Sequence, residues 1–427
     1  MALLAFYRLA TQLAAPLAGP ALQWRAAAGK EDARRLRERL GETGGERPDG
    51  RLIWLHGASL GESLSLLPLI DRLIQRGANV LATTATVSAA QILGARLPAG
   101  AFHQYAPLDA PPFVARFLDH WRPDLAIFAE SELWPNMIAA LKARDTPLVV
   151  ANARISEQSA ARWRRAPAAA RAVFGAIDAC LAQDAENAAR FAALGAPRVD
   201  VAGNLKFDVS APPVDAAQLA EFAAAIGGRP VWAAASIHPG EIDALLAAHE
   251  ALLRRMPGLL AIFAPRHVDA GPDILKEARA RGLSAALRSH GATPTRDHNV
   301  YIADTMGELG LIFRSVALVF MGKSLIDAPA IAGGGQNPIE PARLGCAVVH
   351  GPHVTNFQAV YAALAASKGA IEVTDASSLA EAVHYLLAEP ARLRRMGRAG
   401  ATTVENFGGA SRAIMTALEP YLARPEP

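Results

Sequence analysis

Several short stretches of this chain put polar side chains where an apolar run gives way to a helical pattern. The first is His56-Gly57-Ala58-Ser59-Leu60-Gly61-Glu62. Ser59 and Glu62 have the S-x-x-E spacing of a capping box, in which the glutamate bonds the backbone N–H of the serine. The same carboxylate, on a strand-to-helix turn with glycines that admit a ligand, is also placed to take a proton from an incoming hydroxyl. The helix dipole favours its ionised form, which a general base needs. Spacing alone leaves both readings open. Asn337-Pro338-Ile339-Glu340 follows Gly333-Gly334-Gly335. A glycine tract feeding a helix N-terminus offers N–H groups to a phosphate, and Glu340 is placed to accept from two ribose hydroxyls. A cap without a ligand is the alternative there. Thr305-Met306-Gly307-Glu308 repeats the layout, Pro265-Arg266-His267 offers a guanidinium to an anion, and Ser236-Ile237-His238-Pro239-Gly240-Glu241 is a further turn into a helix. The eleven histidines form no H-E-x-x-H, and no D-x-D stands where a metal-dependent nucleotide-sugar enzyme needs one. No catalytic metal is predicted.

The elements that hold these turns alternate. Buried strands are predicted over 52–55, 80–84, 125–129, 148–151 and 180–182, with helical spacing over 63–76, 111–121, 134–144 and 185–194. A polar, proline-bearing stretch over 208–215 reads as a linker. Strands then resume over 231–235, 259–264, 300–302, 318–321, 347–350 and 371–373, with helices over 240–256, 272–281, 308–314, 340–344 and 379–387. This is the pattern of βαβ units on parallel sheets. Two open α/β domains with a cleft between their strand ends are expected, and ligands bind such sheets at the carboxyl ends of strands. The pattern fits nucleotide-sugar glycosyltransferases with two Rossmann-like domains, and also two-lobed solute-binding proteins.

The chain has 427 residues, 52% of them hydrophobic and 19% charged, which excludes intrinsic disorder. A net charge of +3 is too small to mark a nucleic-acid binder. Cys180 and Cys346 make no disulfide framework. Residues 1–24 are apolar but interrupted by Arg8, Gln12, Pro16 and Pro20, and a basic stretch from Arg25 to Arg39 follows. That order suits an anchor facing anionic lipid, either in the interface or as a short span. An N-terminal helix packed on the domain is the alternative.

Read together, these stretches resemble the 3-deoxy-D-manno-octulosonic acid (Kdo) transferases of lipopolysaccharide assembly. The matching text is HGASLGES, ESELWPN (Glu130 to Asn136), ANARIS, GNLKFD, ASIHPGE, APRH, DTMGEL, GGGQNPIEPARLG and GPH, in the family's order from Trp54 to Phe357. The resemblance implies an α/β chain of GT-B type, with two Rossmann-like domains facing across a cleft. It implies a membrane-associated segment over 1–24, an acceptor-binding domain over 25–208 and a linker over 209–215. A CMP-sugar-binding domain follows over 216–427, its last helix packing back on the first domain. CMP-Kdo is the implied donor. The lipid A precursor (lipid IVA), at the cytoplasmic face of the inner membrane, is the implied acceptor. The catalytic base falls on Glu62. CMP contacts fall on Pro265 and Arg266, on Met306, Gly307 and Glu308, and on Asn337, Pro338, Ile339 and Glu340. Lys206 or Arg154 serves the Kdo carboxylate. The sequence departs from the family at Gln336, where histidine is frequent, at Lys323, where glycine is frequent, and in a short insertion over 327–332. A UDP-hexose transferase and a solute-binding protein are the competing readings.

Overall fold

A computed structural model describes residues 2–209, 211, 214–326 and 333–423. The expected insertion over 327–332 lies outside the described residues, as do residues 210, 212 and 213 of the expected linker. The chain forms two compact units, one built from residues 1–209 with 408–427 and the other from 210–407.

The first unit holds β1 (Leu52–His56), β2 (Asn79–Thr84), β3 (Ala101–Tyr105), β4 (Leu125–Ala129), β5 (Leu148–Ala153), β6 (Ala179–Ala182) and β7 (Val199–Val201). They form one parallel sheet in the order β3-β2-β1-β4-β5-β6-β7. Every residue of β1 is buried. Leu52 and Trp54 join one apolar layer and Ile53 and Leu55 the other, because successive strand side chains point to opposite faces. The Ala410–Leu422 helix supplies Ile414, Met415 and Leu418 to the second layer. Asp208 fixes the start of that helix by accepting from Gly409 N at 2.7 Å.

The second unit holds β8 (Val231–Ile237), β9 (Leu260–Pro265), β10 (Ala285–Leu287), β11 (Val300–Ile302), β12 (Leu318–Met321), β13 (Ala347–His350) and β14 (Ala370–Glu372). Its parallel sheet runs β10-β11-β9-β8-β12-β13-β14. In each sheet the chain starts centrally, works to one edge, then returns to extend the other side. The reversal lies between β1 and β4 in the first unit and between β8 and β12 in the second. Loops diverge at such a switch point and leave room at the carboxyl ends for a ligand.

The N-terminal stretch is a helix over Ala2–Ala14, a 3-10 turn over Ala15–Leu17 that accommodates Pro16, and a helix over Ala18–Ala27. No described helix is long and apolar enough to cross a membrane. One side of the first helix docks on the unit: Tyr7 Oη donates to Asp109 Oδ2 at 3.0 Å, and Thr11 Oγ1 accepts from Asn136 Nδ2 at 3.0 Å. Asp109 also accepts from Asn136 N and Met137 N, so it caps the Pro135–Lys142 helix from outside. Leu3, Phe6, Leu9, Leu13, Leu17 and Trp24 stay exposed.

Candidate active site

Glu62 is set by the turn that follows β1. Gly57 is required there because a Cβ at its position falls 2.9 Å from Ser63 N and 3.2 Å from Glu62 Cβ. Only a bare backbone lets the Leu60–Ser65 helix start this close to the strand. The capping box forms: Glu62 N donates to Ser59 Oγ at 3.4 Å, and Ser59 N donates to Glu62 Oε2 at 3.0 Å. Glu62 is thus a cap, and its carboxylate remains half-buried rather than enclosed. Its pKa is raised, first by burial and then by the charges of Glu132 and Glu130, against the opposing pull of the Ser59 N–H.

Those two carboxylates come from the segment after β4, the strand beside β1. His56 and Phe128 are register partners across that pair, so the two loops leave the sheet side by side. Glu132 Oε2 accepts from Trp134 Nε1 at 2.6 Å and lies 3.3 Å from His56 Nε2. His56 Nδ1 lies 2.9 Å from Thr83 Oγ1, which also accepts from Trp54 Nε1 at 2.8 Å. His56 Nδ1 also lies 3.3 Å from Thr83 O, so the ring is fixed from the strand side while its Nε2 faces Glu132. Burial raises the pKa of Glu132, but the His56 and Trp134 contacts outweigh it and hold the carboxyl below its usual value. Glu130 Oε1 pairs with Lys206 Nζ at 2.8 Å.

Glu130 has φ 51° and Asn152, in β5, has φ 54°. In the second unit Ser236, in β8, has φ 55°, and Lys323, just past β12, has φ 57°. Non-glycine residues in the left-handed region cost of order 1–3 kcal/mol and concentrate at functional sites. These four lie at the carboxyl side of central strands.

The donor motifs read from the sequence fall along the carboxyl edge of the second sheet. Pro265 ends β9, and Arg266 follows it with an exposed side chain while its N–H donates to Ile237 O at 2.9 Å. Met306 and Gly307 follow β11; Met306 is 56% exposed and Gly307 takes φ 83°. Asn337 accepts from Ile339 N at 3.0 Å and donates to Glu340 Oε1 at 3.4 Å, while Pro338 and Ile339 are buried. His238, after β8, joins these turns: Gln336 Nε2 is 3.3 Å from its Nε2, and its ring stands 6.1 Å from that of His267. Its pKa is lowered, first by burial and then by the positive charges of Lys323, His267 and Arg266, although Glu241 opposes. An electropositive group therefore sits at the ends of β8 and β9.

A family model described as 3-deoxy-D-manno-octulosonic-acid transferase matches residues 34–209. A probable mitochondrial 3-deoxy-D-manno-octulosonic acid transferase of Arabidopsis thaliana is 35% identical, over 94% of this chain and 92% of the relative. The transferase of Haemophilus influenzae is 34% identical, over 91% and 92%. The chain belongs to the Kdo transferase family. Among solved structures, a glycosyltransferase from Rickettsia africae covers 88% of this chain and 100% of its own, with a TM-score of 0.59 at 11% identity. At that identity the likeness speaks for the fold alone, and the fold is of the GT-B type. Family membership sets aside the solute-binding reading.

Some expected roles look different once the side chains are placed. Glu308 is engaged by Arg288 and by the Thr305 hydroxyl. The glycines at 333–335 have a packing cause: a Cβ at each would meet Asn356, His353 O or Val354 at under 3 Å. The helices after Glu308 and Pro338 are short, Leu309–Ser315 and Ile339–Arg343. Backbone N–H groups, not a long dipole, are what they offer an anion. Of the two cations considered for the Kdo carboxylate, Lys206 sits against Glu130 and Arg154 is exposed. Sequence reading assigned no role to Glu130, Glu132 or His56. The signal available was two carboxylates in ESELWPN directly after a buried strand.

Proposed function

We propose that this protein is an inverting glycosyltransferase that moves Kdo from CMP-Kdo to lipid IVA, the lipid A precursor, with Glu62 as general base. The observation that carries the reading is a half-buried carboxylate of raised proton affinity at the β1–β4 switch point. Glu62 takes the proton of the acceptor hydroxyl as that oxygen bonds to the anomeric carbon of Kdo. The bond from that carbon to the phosphate oxygen breaks, and CMP leaves with the electron pair. Charge growing on the leaving phosphate is met by Arg266 and by Lys323 and His267, which stand beside His238. Fixed donors of this kind contribute ~2.7–4 kcal/mol each. Pro265, Met306, Gly307, Glu308, Asn337, Pro338, Ile339 and Glu340 frame the cytidylate, with Glu340 on the ribose, and the reaction uses no metal.

The same proposal puts the enzyme at the cytoplasmic face of the inner membrane. Phe6, Leu9 and Leu13 share one exposed side of the first helix, turned away from Tyr7 and Thr11, which supports a helix lying in the lipid interface. The cationic stretch beyond it is partly neutralised, since Arg25, Arg35 and Arg37 pair with Glu31, Glu38 and Glu42. Apolar contact therefore outweighs charge in this attachment.

Incubation of the full chain with CMP-Kdo and lipid IVA, read by mass spectrometry, tests the reading. One or more Kdo units added to the lipid support it, and a chelator leaves the yield unchanged. Equal transfer by Glu62→Gln refutes the base assignment.

A further inference from the structure

The base stands beside a second carboxylate with unusual support. Glu132 is held by an indole N–H and an imidazole, and that imidazole is itself fixed through Thr83 and Trp54 from the interior of the sheet. Three buried residues, His56, Thr83 and Trp54, and the half-buried Trp134 are thus engaged in orienting one side chain. His56 is also one residue from Gly57, whose absent Cβ brings the Glu62 backbone against the end of β1. His56, which contacts Glu132, ends the strand whose following turn leads to the base. Groups facing Glu62 from other elements are Glu132 and Glu130 after β4, with Lys206 neutralising Glu130 from the Leu205–Phe207 turn. Among the described residues, Glu132 has no lysine or arginine paired with it, only the imidazole and the indole N–H.

We propose that Glu132 is a positioning residue that acts through Glu62: fixed by His56 and Trp134 on the loop beside the β1 turn, it presents a negative charge that tunes how the base takes the acceptor proton. A carboxylate with a single N–H donor and an unopposed negative neighbour binds a proton more tightly than an isolated one. A stronger base that is still ionised at working pH transfers protons more efficiently. Lys206 tempers Glu130, so the effect is concentrated on Glu132. The inference rests on the assignment of Glu62 as base.

The test is the pH profile of kcat/KM for transfer from CMP-Kdo by the full-length protein. Glu62 must be ionised to act, so activity is lost as pH falls through its pKa. Glu132→Gln removes the repelling charge, and the acidic limb moves to lower pH by about half a unit, with a lowered plateau. Glu132→Asp keeps the charge and leaves the limb near its wild-type place. His56→Asn releases Glu132 and moves the limb the same way by less, and adding it to Glu132→Gln causes no further movement, because the two act as one unit. Folding is checked by CMP binding and thermal melting, and His56→Asn decides the question if Glu132→Gln does not fold. A lower plateau with an unmoved limb in the folded variants overturns the proposal. Full activity in Glu62→Gln instead removes the base reading on which it rests, so the two failures are distinct.

Discussion

The turns after β1 and after β8 share a design and end in opposite uses. Each leads from a buried strand at a switch point into a helix through a glutamate three residues past the cap position, Glu62 in one and Glu241 in the other. Glu241 is fully buried and accepts from His238 N, Lys323 N, Ser324 N and Leu325 N at 2.7–3.1 Å. Glu62 has Ser59 N and two neighbouring carboxylates. The difference originates in the adjacent strand. Past β12, Lys323 in the left-handed region curls the chain so that successive N–H groups converge on Glu241, an anion nest filled by the protein's own side chain. Past β4, Glu130 makes a similar left-handed turn, but there the chain presents carboxylates. One glutamate is used up in building the sheet edge and the other is left available for chemistry. A capping-box spacing cannot tell these fates apart.

The comparison predicts opposite phenotypes for the two glutamates. Glu62→Gln lowers the rate of Kdo transfer by about 10²–10⁴-fold, the usual contribution of a general base, with a melting temperature close to wild type. Glu241→Ala orphans buried N–H groups and destabilises the second unit by about 3 kcal/mol or more, seen as an early transition in denaturant or heat. A stable, inactive Glu241→Ala protein breaks the contrast, as does a Glu62→Gln protein that melts early.

Gly57→Ala is next in size. The new Cβ meets backbone at Ser63 N, so the helix carrying Glu62 must shift. Displacement of a catalytic group by about 1 Å can cost 10²-fold. Transfer is expected to fall by about 10–10² while the apparent affinity for CMP, proposed to bind the second unit, holds. A matching loss of CMP affinity rules out this local explanation.

Legibility followed burial. The central strands were readable as apolar runs, and β4, β11, β12 and β13 have the expected bounds. The strands that escaped notice are β3, β7 and β10, all at sheet edges. β3 carries His103 and Gln104, β7 exposes Asp200 and Val201, and β10 has three residues. Edge strands bury less and show a weaker apolar signal. At the site, Glu62 was visible because its partner Ser59 is three residues away. The Glu132–His56 and Lys206–Glu130 contacts join residues more than seventy positions apart, and only the order of strands in the sheet makes them neighbours. The glycines at 333–335 show the reverse error. A tract that reads as a phosphate cradle has its immediate cause in close passage against residues 353–356.

The finest test separates the cap that Glu62 forms from the base role proposed for it. Ser59→Ala removes the hydroxyl that accepts from Glu62 N, a bond already long at 3.4 Å, so the stability loss belongs at the low end for a helix cap, about 0.5 kcal/mol. It leaves the Ser59 backbone N–H, which is what touches the Glu62 carboxylate. The acidic limb of the rate profile should therefore stay in place and the plateau fall little. If Ser59→Ala instead cuts transfer as deeply as Glu62→Gln, then the cap governs the orientation of the base, and the turn after β1 is closer in kind to its counterpart after β8 than the donors around the two glutamates imply.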